Sequence, residues 1–166
     1  MLYLTPIQRQ EILNHAEKTY DQECCGILLG ECRQAGEETH KYVRQVIPVE
    51  NQWQTAISEA SSTPMLPELD EQASPDPRSL TQSRRYWIDP QDLFMAQGRA
   101  RDLGWVIVGI YHSHPDHGAV PSEYDRAWAW SGYSYVIVSV RQGVAQDMRS
   151  WSLDDQRQFQ PEEVCQ

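Results

Sequence analysis

Basic charge is what this sequence has too little of. Fourteen Lys and Arg stand against 24 Asp and Glu, a net charge of −10, which leaves no basic face for a nucleic-acid partner. Long apolar runs are missing too: nothing approaches the roughly 20 residues of a membrane span. The start, Met1-Leu2-Tyr3-Leu4-Thr5-Pro6, has no basic n-region, so cytoplasmic residence is the default expectation and a membrane partner is not expected. Cysteine is scarce and unpaired in spacing. Cys24, Cys25, Cys32 and Cys165 form no Cys-x-x-Cys pair and no regular framework, which argues against a structural zinc site and a disulfide scaffold. Reduced thiols are the plain reading. No internal repeat is visible, and the sequence sets no oligomeric state.

What is present fits one domain with a real core, since the chain has 166 residues. Thr5-Pro6-Ile7-Gln8 has the form of a capping box, and a helix is expected from about Pro6 to Tyr20, with Leu13, Ala16 and Tyr20 inward. Glu23-Cys24-Cys25-Gly26-Ile27-Leu28-Leu29-Gly30 reads as an apolar strand with a carboxylate at its entrance. His40 to Val49 reads as the next strand. Residues 52–85 are rich in Ser, Pro and acid and poor in large apolar side chains, so they are expected to form a mobile insertion. Tyr86-Trp87-Ile88 reads as a short strand, and Asp89-Pro90 opens a helix that Gly104 closes. The polar end, residues 154–166, is expected to fray after a domain spanning 1–153. The order of elements gives a mixed α/β sheet flanked by helices.

The densest chemistry lies in Ile110-Tyr111-His112-Ser113-His114-Pro115 and in Ser122-Glu123-Tyr124-Asp125. Trp105 to Tyr111 reads as a buried strand. Two histidines spaced by one residue at its end project their imidazoles from one face. A catalytic zinc needs three protein ligands and one open position. The third ligand could be Asp116, His117, Glu123 or Asp125. The first two sit so near His114 that they demand a very tight loop, whereas a seven-residue link lets Asp125 fold back, so Asp125 is the choice. A leaving amine also needs a proton carrier, and Glu23 at the mouth of its strand is the best placed. Ser122 could donate to an oxyanion. Each feature alone has a plainer reading: Ser122-x-x-Asp125 is also an ordinary helix cap. Their co-occurrence is what points to a metal hydrolase.

Glu23 to Gly30, the His112-Ser113-His114-Pro115 run, and Ser122 with Asp125 together resemble the signature of the JAMM (MPN-plus) zinc metallopeptidases. Tyr86 to Pro90 and Gly132 to Val140 are similar to the small prokaryotic members. Asp21 stands where the family often has proline, and the insertion is longer than in compact members. The resemblance implies a JAMM variant of the cytidine-deaminase-like fold, with a curved mixed sheet. It implies one zinc per chain on His112, His114 and Asp125, with Glu23 as general acid/base and Ser122 as oxyanion donor. The implied reaction is hydrolysis of a peptide or isopeptide bond at the C-terminal Gly-Gly tail of a ubiquitin-like or sulfur-carrier protein. Two other classes compete. A non-catalytic binding scaffold of the same fold is disfavoured by the full residue set. A deaminase is disfavoured because it would need His-x-Glu together with Pro-Cys-x-x-Cys, and the second is missing.

Overall fold

The computed structural model describes residues 1–36, 38–59 and 85–166. The elements among them run β1 (Leu2–Tyr3), α1 (Pro6–Thr19), β2 (Cys25–Ala35), β3 (Glu38–Val49), α2 (Trp53–Glu59), α3 (Pro90–Asp102), β4 (Val106–Pro115), α4 (Glu123–Trp128), β5 (Ser134–Arg141), β6 (Val144–Leu153), β7 (Phe159–Glu162) and β8 (Val164–Cys165). The strands form one mixed sheet in the order β7-β6-β5-β4-β2-β3-β1-β8. β4 lies near its middle, antiparallel to β2 and parallel to β5. Being covered on both faces, β4 is buried continuously from Val108 to Pro115, which is why its sequence shows an unbroken apolar run rather than alternation.

Side chains of β2 divide between two cores. Cys24, just before the strand, and Leu28 join Leu2, Ile12, Ala16 and Tyr111 on the α1 side. Cys25, Ile27 and Leu29 join Ala96, Ala100 and Ile110 on the α3 side. Both thiols are buried and free. Gly26 is required where it stands, because a Cβ there would run into the Tyr111 ring. Helix α1 begins on the expected capping box of Thr5 and Gln8, and α3 begins on Asp89 with Pro90 in its first turn.

Three expectations need correction. Residues 53–59, expected to begin a mobile insertion, form a helix anchored by Trp53, whose side chain is fully buried. The rest of the expected mobile insertion, residues 60–84, lies outside the described residues. Tyr86, Trp87 and Ile88 form no strand; Trp87 instead exchanges its backbone bonds with Asn51 and Gln52. The polar end does not fray. β7 pairs with β6 at one edge of the sheet and β8 pairs with β1 at the other. Since only Glu163 separates β7 from β8, the two edges are drawn together and the sheet curls almost shut.

Closure is fixed by a buried ionic knot. Lys41 Nζ donates to Ser134 Oγ at 3.0 Å and to Glu162 Oε1 at 3.4 Å, while Ser150 Oγ donates to Glu162 Oε2 at 2.7 Å. The Lys41 and Glu162 side chains are each about 6% exposed. No helix among the described residues is long and apolar enough to cross a membrane.

Candidate metal centre

The end of β4 delivers His112 and His114 together, as their spacing requires. The two Nε2 atoms face each other at 3.1 Å. His112 sits opposite Cys25 of β2, and His114 opposite Ser139 of β5. Between them, Ser113 points the other way, and its Oγ accepts from the Cys24 backbone N–H at 2.8 Å. That bond ties the approach to β2, and with it Glu23, to the histidine strand.

After Pro115 the chain turns through Asp116, whose φ of 55° is the left-handed conformation that Asp tolerates better than most residues. The turn swings the Gly118 carbonyl to within 2.9 Å of His114 Nδ1. A proton on Nδ1 donated to that carbonyl leaves the Nε2 lone pair facing the cluster. His112 is held differently: its Nδ1 is buried with no partner among the described residues, and the Tyr86 ring stacks on it at 4.5 Å.

Ser122 caps α4, and Asp125 sits at N3 of a complete capping box. The Ser122 backbone N–H and hydroxyl both donate to Asp125 Oδ2 at 2.7 Å. Asp125 therefore arrives with a fixed orientation, its Oδ1 3.3 Å from His112 Nε2 and its Oδ2 3.7 Å from His114 Nε2. The helix-cap reading and the ligand reading are both met by the same carboxylate. Of the other third-ligand candidates, His117 is not in the group that could hold an ion, Asp116 bonds to Tyr20 and to the Gln142 backbone, and Glu123 pairs with Arg126. None of the three joins the cluster.

Burial alone would raise the Asp125 carboxyl, but His112 and His114 outweigh it and hold the group well below the usual carboxylate range. Burial lowers the His112 imidazole. It would lower His114 as well, yet Asp125 and Glu23 raise that ring above its ordinary value. Glu23, about 5% exposed, is pushed up to about 8 by burial, against the pull of His114 and Arg85. The Asn51 side chain holds the backbone around it. Its Nδ2 donates to the carbonyls of Glu23 and Arg85 at 2.9 Å, and its Oδ1 accepts from Trp53 and Trp87 N–H at 3.1 Å.

One ligand atom each from His112, His114 and Asp125 falls within 4.8 Å of the others, and all three residues are buried. Two nitrogens bound at about 2.0–2.1 Å to one tetrahedral zinc stand about 3.3 Å apart, close to the separation seen here. Two neutral nitrogens and a carboxylate also match the donor set of a catalytic zinc. The residues fit such an ion.

The sequence matches the family of prokaryotic homologs of the JAB domain over residues 6–154. The chain belongs to that family. Its JAB/MPN fold agrees with the curved sheet and flanking helices. A desampylase from Haloferax volcanii is 29% identical over 143 residues, covering 83% of this chain and 80% of the relative. The solution structure of a protein from Desulfitobacterium hafniense is 26% identical with a TM-score of 0.69, covering 99% of this chain and 91% of the other. Another, from Salinibacter ruber, is 30% identical with a TM-score of 0.64, covering 99% and 90%. Sequence reasoning about this JAB-family chain missed Asn51, Ser113 and the Gly118 carbonyl. The last has no sequence signal at all, because it is a backbone atom.

Proposed function

We propose that this chain is a zinc-dependent JAB-family hydrolase that cleaves a peptide or isopeptide bond at the C-terminal tail of a ubiquitin-like or sulfur-carrier protein. The observation that carries the reading is the convergence of His112, His114 and Asp125 beside a buried Glu23. Family membership and the relative named a desampylase support the choice of substrate class. His112, His114 and Asp125 would hold one zinc per chain. Bound there, the ion would supply Lewis acidity that makes water nucleophilic near neutral pH.

The remaining steps belong to the protein. Glu23 takes a proton from the attacking water and returns it to the leaving amine. A carboxyl lifted toward neutral pH by burial suits both tasks. A cation held by the cluster would lower it further, in the direction in which His114 and Arg85 already pull. Ser122 fixes Asp125 in the resting geometry, and its hydroxyl turns from Oδ2 to an oxyanion when one forms.

Metal analysis tests the ligand set. Purified protein is expected to hold about one zinc per chain, and His114→Ala is expected to hold almost none. Equal metal in both proteins would remove these residues from the site.

A further inference from the structure

Beside the cluster lies a cavity of about 280 Å³, walled by Tyr86, Trp87, Leu93, Tyr124, Trp128 and Tyr135. Its floor is the middle of the sheet, where Ile110 of β4 and Tyr135 of β5 are register partners. Asp125 is its one acidic or basic lining residue among those described. Trp87 and Trp128 meet edge to face at 5.2 Å and 90°, and Tyr124 is tilted against Trp128 at 6.2 Å and 47°. The cavity adjoins the cluster through two of its lining residues, since Asp125 faces both histidines and Tyr86 stacks on His112.

Aromatic walls and a single charge favour an apolar occupant, and the volume suits one side chain rather than a folded element.

We propose that this cavity is a substrate side-chain pocket, taking one bulky apolar residue, aromatic before aliphatic, from the segment lying across the cluster. The proposal rests on the hydrolase reading and adds a sequence preference to it. A tail made only of glycine would leave the pocket empty, so the preferred residue stands beside the glycines or on the leaving side.

Binding can be measured without catalysis. The tryptophan indole N–H signals of the ¹⁵N-labelled full chain are followed during titration with N-acetyl-phenylalanine amide, N-acetyl-alanine amide and N-acetyl-aspartate amide. Trp128→Phe identifies the Trp128 signal. The Trp87 and Trp128 signals should move with the phenylalanine amide, with affinity at least about tenfold above that for the alanine amide. Leu93→Trp, which fills the cavity from α3, should abolish the response while leaving the other signals in place. An equal response to the aspartate amide, or undiminished binding by folded Leu93→Trp, would overturn the pocket. Should Leu93→Trp fail to fold, the ranking of the three amides on the parent chain decides alone. Hydrolysis of carrier proteins without any such binding would sink only the pocket. Selective binding without hydrolysis of any carrier would sink only the hydrolase.

Discussion

Burial lifts the Glu23 carboxyl to about 8 from an ordinary 4.5, and that displacement has two measurable consequences. In the metal-free protein, a carboxyl whose folded value is raised favours the folded state most below pH 4.5. That contribution is lost as pH rises through 8, because the unfolded chain ionises the group more readily. Replacing Glu23 by Gln removes the dependence. Glu23→Gln should therefore gain stability relative to the parent between pH 4.5 and 8, in urea unfolding with chelator present. A difference that stays flat across that window would mean Glu23 is not buried as described. In the zinc-loaded protein the same variant should keep its metal and fold but lose about 10²–10⁴-fold in turnover, the usual contribution of a positioned acid or base. Near-parent turnover at full zinc content would place the proton carrier elsewhere.

The elements around the centre depend on Asn51 at the end of β3. One amide bonds four backbone groups, joining the approach to β2, the start of α2 and the returning residues 85–87. Asn51→Ala should destabilise by about 3 kcal/mol or more, since each buried group left unpaired costs about 1–3 kcal/mol. Denaturant unfolding checks this, and a loss under about 1 kcal/mol would show that water replaces the amide. The histidine strand, the two capped helices and the Glu23 approach were all legible in the sequence. Their signals are local: a run of β-branched residues, a capping box, a spacing of two. Asn51 was not legible, because three of its four partners lie 28 to 36 residues away and nothing near it marks an asparagine as buried. The extended reading of Tyr86 to Ile88 went wrong for a related reason. Aromatic and β-branched residues suggest a strand, but these pack on His112 and Trp128 instead of pairing.

Across the whole molecule, a polar C-terminal stretch closes the sheet. Composition pointed to fraying there, yet Glu162 is polar because it neutralises Lys41 inside the closed edge. Removing one partner of a buried pair leaves the other uncompensated, so Glu162→Ala should cost roughly 3–5 kcal/mol in urea unfolding. A change under 1 kcal/mol would mean that Lys41 reaches solvent. The same sheet carries β4 between β2 and β5, and β4 presents the two histidines to Asp125. The central claim is that this cluster hydrolyses the tail of a small carrier protein. Its most direct test is intact-mass analysis of a ubiquitin-like carrier bearing a C-terminal extension, incubated with the zinc-loaded chain. The extension should be lost, and chelation should stop the loss. An unchanged mass at confirmed zinc occupancy across a panel of such carriers, or cleavage that survives removal of the metal, would contradict the account.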